Sequence, residues 1–387
     1  MTLKSNKVNL ALISLVLSVG CAGPTQRVES INSVNANKDE AFKFLNETIR
    51  PLPKAKISSS EEIDWPVCTL PWNRYNLPII APDGLHATVQ LGKNPPENLI
   101  VGTINTPIEG TVISIHQLDP IHGNQYAGKH ISMSGLLLTK AANDRGILVE
   151  RPLGSSGRWI GFVDYATGQI EWLINDKNIN AFPAMSLSGN IAWSRRAIDD
   201  NRFHLVINTS SKQIIIDDGE SDWLFPLFLG NDKVRAYKIK NNSLSLIELD
   251  LNARDPKLTA ISIPLLNDGA TRENTWQVAA TNPYTTGQKK HAFYSPTQNR
   301  MYVWMPGQLN ETAFFSLNSM AAAPVQDGSW IVSMKNRVVR QHPNEEDGVH
   351  IRNQLAIPVA TMSNKWTHYM LIPDGPRLQV RAISLNN

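Results

Sequence analysis

The chain has 387 residues, 42% hydrophobic and 18% charged, with 37 basic against 34 acidic side chains. That is enough apolar material for one large or two medium folded domains, and it excludes a disordered chain. The formal charge of +3 falls to +1 once residues 1–20, with Lys4 and Lys7, are set aside, too weak a balance to make nucleic acid an expected partner.

At the N-terminus, Lys4 and Lys7 form a positive region ahead of an apolar run from Val8 to Val19, interrupted by Asn9. The run is shorter than the roughly 20 residues a bilayer span takes. Gly20 then places a small residue directly before Cys21. This stretch resembles the signal of bacterial lipoproteins, in which the cysteine is acylated and becomes the new N-terminus. The family prefers Leu where this chain has Ser18, with Leu17 one place further out. The alternative is an ordinary secretory peptide. The resemblance implies a lipid on Cys21 as the link to the membrane, and several acyl chains give the stable anchoring that one cannot. Ala22 after the cysteine resembles lipoproteins sorted to the outer membrane, facing the periplasm or the cell surface. With Cys21 acylated, Cys68 is the sole remaining thiol, and no disulfide can form within the mature chain.

Residues 22–40 are polar, rich in Asn and Ser, and read as a flexible tether. Ala41, Phe42, Leu45 and Ile49 fall at helical spacing before Pro51, which predicts a short amphipathic helix over about 39–50. The expected organisation is a signal peptide over 1–20, then acylated cysteine, tether and helix over 21–64. A β-domain occupies 65–387.

From Trp65 onward, short runs of β-branched and aromatic residues alternate with turn clusters. Hairpins are predicted at Arg158–Ile174, Phe203–Asp217, Val234–Leu249, Ser329–Gln341 and His368–Ile383. In the last, Leu378, Val380 and Ala382 share one face, with Gln379 and Arg381 on the other. Units begin near Pro78, His130, Phe182, Leu224, Gln277, Ala321 and Pro358, spacings close to the blade length of a β-propeller. The predicted fold is therefore all-β, a propeller of seven blades, with six or eight as neighbouring solutions. An N-terminal strand near Val67–Leu70 or Leu77–Ile80 would complete the last blade and leave only short, protected edges. Two β-sandwich domains are the alternative, although no Pro-rich linker divides the chain.

"APDGLHATVQ" (Ala81–Gln90) and "SLSGNIAWSR" (Ser186–Arg195) resemble degenerate copies of the repeat of TolB-type propellers, and "SPTQNRMYVW" (Ser295–Trp304) is a weaker copy. The resemblance extends over about residues 75–387 and implies the same fold.

Candidate chemistry is sparse. His116, Asp119, His122 and His130 lie within fifteen residues, and imidazole with carboxylate suits a transition metal, yet Pro120, Gly123 and Gly128 mark a loop. The segment His342–His350 encloses Glu345, Glu346 and Asp347 and reads as a solvated hairpin tip. "GSSG" at Gly154–Gly157 lacks the spacing of a nucleophile elbow, and no phosphate loop is found. Cys68 reads as a buried small hydrophobe. Of the ten tryptophans, most are expected to pack blade against blade. Trp193, Trp304, Trp330 and Trp366 are the candidates for stacking on a sugar or anchoring a protein partner.

The expectation is thus an envelope lipoprotein that presents a propeller to a protein or glycan partner, needs no cofactor and need not be an enzyme. The alternative is a metal-dependent polysaccharide lyase or hydrolase with His residues from several blades around the axial channel; His116, His122 and His130 are the candidate metal ligands. Propellers serve both ends, so this step rests on analogy of fold.

Overall fold

The structure, a computed structural model, describes residues 63–71, 78–91, 112–118, 129–131, 135–154, 157–241, 243–253, 258–261, 291–295, 300–304, 312–315, 319–325, 328–345, 348–360, 368–374 and 377–384. The expected signal peptide, tether and helix lie outside these residues. So do the spans of His122, Trp276 and Trp366.

All regular structure among the described residues is β. The first strand, β1 (Ile63–Pro71), does not pair with β2, its neighbour in sequence. A first antiparallel run comprises β2 (Ile79–Ile80), β3 (His86–Leu91), β4 (Val112–Gln117) and β5 (Lys129–Ile131). The second comprises β6 (Leu137–Ala142), β7 (Gly146–Pro152), β8 (Arg158–Asp164) and β9 (Ile170–Ile174). The third is β10 (Ile179–Met185), β11 (Ile191–Arg196), β12 (His204–Asn208) and β13 (Gln213–Ile216). The fourth is β14 (Asp222–Leu229), β15 (Lys233–Lys240), β16 (Ser243–Asp250) and β17 (Leu258–Ile261). Next come β18 (His291–Ser295), β19 (Arg300–Trp304) and β20 (Thr312–Phe314), then β21 (Ser319–Pro324), β22 (Trp330–Met334), β23 (Val338–Gln341) and β24 (Val349–Arg352). The final run is β25 (Ile357–Ala360), β26 (His368–Asp374) and β27 (Arg377–Ser384), and β1 adds to it as the outermost strand. The second and third runs touch through a single parallel pair, Ile179 with Arg158.

Local chemistry explains the hairpins. The turn in "APDG" places Gly84 at φ 72°, where its N–H donates to the Ala81 carbonyl at 2.9 Å. "SLSG" repeats the device, with Gly189 at φ 88° donating to Ser186. Both need the left-handed region that glycine enters without steric cost. The five hairpins predicted from sequence all form. The unit boundary expected at His130 shifts, because His130 lies in β5, the outer strand of the first run, and the second run starts at Leu137.

Among the described residues, six junctions between runs are packed face to face. Ile79, Ile113 and Ile115 of the first run pack on Ile147, Val149 and Val163 of the second. Leu148 and Ile160 of the second meet Ile191, Trp193 and Val206 of the third. Ala192, Leu205 and Ile207 of the third meet Trp223, Phe228 and Val234 of the fourth. Met301 and Val303 pack on Trp330 and Val332, and Ile331 and Val338 on Met370 and Ile372. The last run returns to the first, where Val67, Leu70, Leu378, Val380 and Ala382 share a core with Ile80, Ala87 and Val89. Every such side chain contributes about 1.5–3 kcal/mol by leaving water.

Polar stitches cross the same junctions. Gln90 Nε2 donates to the Leu136 carbonyl at 3.0 Å and Gln90 Oε1 accepts from Leu138 N at 2.7 Å. Tyr369 Oη donates to the Gly84 carbonyl at 2.7 Å, across 285 residues of sequence. Face-to-face packing of successive sheets, with the last returning to the first, is the arrangement of a β-propeller.

Candidate functional site

The first strands of neighbouring runs lie side by side: β2 by β6, β6 by β10, β10 by β14, β18 by β21 and β21 by β25. These innermost strands are where a ring presents groups to its axis. Three consecutive ones break register. In β10, Ala181 pairs Ser194 and Ala184 pairs Ala192, so Phe182 and Pro183 face Trp193 alone. In β14, Leu224 pairs Tyr237 and Leu227 pairs Arg235, leaving Phe225 and Pro226 opposite Ala236. In β6 the break spans Thr139, Lys140 and Ala141, between pairs Leu138–Val149 and Ala142–Ile147. Bulges of this kind bend a strand and re-aim its side chains, and they recur beside functional sites.

The two Phe-Pro bulges carry strain. Phe182 has φ 56° and Phe225 φ 51°, left-handed values that a bulky L-residue rarely adopts and that cost on the order of 1–3 kcal/mol each. Their rings lie 4.3 Å apart, and Phe203, just before β12, is 6.0 Å from Phe182. Phe182 and Phe203 are buried, whereas Phe225 is half-buried.

Glu150 holds this strain in place. Its Oε1 accepts the Phe182 backbone N–H at 2.8 Å, while its Oε2 accepts Arg158 Nη1 at 2.6 Å. Both side chains of the pair are buried, Arg158 at 2% and Glu150 at 7% exposure. Burial lowers the Arg158 pKa from its ordinary value, Glu150 opposes that, and the like charge of Arg196 adds to it. Asn180 Nδ2 donates to the Arg158 carbonyl at 3.0 Å and to Asp176 at 2.7 Å, while its Oδ1 accepts Trp193 Nε1 at 2.9 Å. Lys140 is exposed to solvent yet crowded by protein, which desolvates its ammonium and lowers its pKa to about 8.

The residues singled out from sequence are distributed differently. Trp193 is 3% exposed and Trp330 fully buried, the latter edge-on to Phe315 at 5.6 Å, so both serve the junctions between runs. Trp304 pairs with His291 and Thr312 in β19. His116 is fully buried, its Nε2 2.8 Å from Ser114 Oγ, and His130 pairs with Ser114 in the ladder. His122 and Trp366 fall outside the described residues, as do Asp119 and the span that would carry Cys21. Cys68 pairs with Val380. No group of three His, Cys, Asp or Glu side chains among the described residues is arranged to hold a metal ion.

Lys140, Phe182 and Phe225 were not singled out by motif. The repeated dipeptide Phe-Pro, near the start of two successive units, was the signal available in the sequence.

No protein-family model and no curated protein matches the chain. Among solved structures, the Dos1 propeller is similar over 70% of this chain and 73% of its own, at 10% identity and a TM-score of 0.43. TolB from Acinetobacter baumannii is similar over 78% of this chain and 80% of its own, at 10% identity and a TM-score of 0.29. A puromycin-hydrolyzing peptidase of Mycobacterium tuberculosis matches 47% of this chain at 12% identity and a TM-score of 0.36, and the chain spans only 28% of that protein's length. The propeller assignment stands on the sheet topology and the cores described above.

Proposed function

We propose that this protein is an envelope lipoprotein, held to a membrane by an acylated Cys21, whose seven-bladed propeller serves as a binding scaffold. The seven runs each act as one blade, with β1 completing the last. One observation carries the binding reading. Three consecutive innermost strands interrupt their ladders at Lys140, Phe182 and Phe225, the two phenylalanines at strained backbone angles, and Lys140 and Phe225 remain open to solvent. Closing the ring does not require that strain, since β25 pairs with β26 without a break. Strain that the surrounding structure over-determines is a mark of function.

The partner is a protein of the envelope, engaged by Phe225 as an aromatic anchor, since a few anchor residues carry most of the binding energy at an interface. The test has two arms. Cys21→Ser should move the protein from the membrane to the soluble fraction of the exported material; an unchanged membrane fraction removes the anchor. Crosslinking from solubilised envelope should yield a defined partner that Phe225→Ala loses. Identical recovery with the variant removes the assigned surface.

A further inference from the structure

Strands alternate in direction, so the turns after the second and fourth strands of each run emerge on one face of the ring. Arg196 closes β11 on that face, and Phe203 lies just before β12. The Arg196 guanidinium lies over the Phe203 ring, 5.2 Å from its centroid. Phe203 is itself fixed, its N–H donating to Asp222 Oδ1 at 2.9 Å and its carbonyl accepting Trp223 N at 2.8 Å.

Among the described residues, Arg196 is the exception within its cluster of arginines. Arg158 has Glu150 at 2.6 Å, Arg195 has Asp176 at 3.3 Å, and Arg202 approaches Asp200 at 3.9 Å. Arg196 makes no side-chain hydrogen bond or ion pair, and its Nε is buried without a partner. The residue as a whole is only half-buried, so solvent reaches part of it. A buried unsatisfied N–H is costly, and more so when it belongs to a charged group. The like charge of Arg158 nearby adds to that cost. Glu150 is engaged elsewhere, one oxygen with Arg158 and the other with Phe182 N.

We infer that Arg196, braced on Phe203, is an oxyanion-binding site that accepts one carboxylate or phosphate group. A guanidinium presents parallel N–H donors that match two oxygens of such a group, and stacking on an aromatic ring preorganises the fork. The anion would offset the Arg196 charge, which stands near the like charge of Arg158. The site rests on the reading of this region as a binding surface but not on the lipid anchor or on any envelope partner.

The probes are inorganic phosphate and acetate, each titrated by calorimetry into the purified full-length protein in detergent at low chloride. Saturable binding of at least one is expected, weakened at least about tenfold, or about 1.4 kcal/mol, in Arg196→Gln and kept in Arg195→Gln. The stronger of the two identifies the oxyanion. Absence of saturable binding by both, or equal affinity in Arg196→Gln, overturns the site. If the Gln variant does not fold, Arg196→Lys keeps the charge but not the fork. Weaker binding with an intact melting transition then supports the site, and unchanged affinity overturns it. Partner capture through Phe225 is read separately, so either result can fail without the other.

Discussion

Removing the Glu150 carboxylate strands two groups at once, the Arg158 guanidinium and the Phe182 N–H. Breaking one side of a buried ion pair costs about 3–5 kcal/mol, because the other charge stays in a medium that cannot solvate it. Glu150→Ala should therefore lower the urea midpoint far more than a surface change would. Glu150→Leu combined with Arg158→Met should recover most of the loss, since replacing both charges with apolar groups of similar volume is often near neutral. A double variant no more stable than Glu150→Ala would show that the bond to Phe182 N, not the ion pair, is what matters. None of this was legible in the sequence. Glu150 and Arg158 are eight positions apart on adjacent strands, and only the Arg151–Trp159 register places their side chains on a common face.

The inner strands show what periodicity can and cannot deliver. Alternation and turn chemistry were enough to find the hairpins, because the buried positions of β27, Leu378, Val380 and Ala382, repeat every second residue. A bulge cancels that alternation over a residue or two, so Lys140 carries no pattern that marks it. Its place in the β6 break has a chemical consequence. Desolvation lowers its pKa to about 8, whereas hydrogen bonds to Glu248 and Glu220 raise those of Lys233 and Lys240. A lowered ammonium pKa means more free amine at any pH below the ordinary lysine value of about 10.4. At pH 8, an amine-acylating reagent should thus modify Lys140 ahead of Lys233 and Lys240, as read by peptide mass spectrometry. Equal labelling of the three would contradict the crowding described for this strand. The tryptophans fell to the same limit. Trp193 and Trp330 are as apolar as any binding anchor in sequence, and only packing shows that they fill junctions.

At the scale of the molecule, closure was the most legible feature, since a last unit one strand short required an N-terminal strand and Val67–Leu70 lies within β1. Both residues are fully buried in the core that joins the last run to the first. Leu70→Ala should cost about 2–5 kcal/mol, by lost burial and the cavity left behind. If the ring unfolds as a unit, tryptophan fluorescence and far-ultraviolet dichroism should shift together in this variant. Two separated transitions would mean that β1 peels from β27 while the remaining sheets persist.

The pairing of Ile63 with Ser384 and Pro71 with Arg377 also orders events during synthesis. β1 and β27 stand at opposite ends of the described residues, a long-range contact of the kind that slows folding. Until they pair, Val67 and Leu70 lack Leu378, Val380 and Ala382 of their shared core. A product truncated before Arg377 never supplies β27 and keeps that seam open, with an unpaired edge exposed to proteases and to other chains. The β1–β27 seam thus couples segments far apart in sequence, and neither strand is shielded along this edge until both are in place.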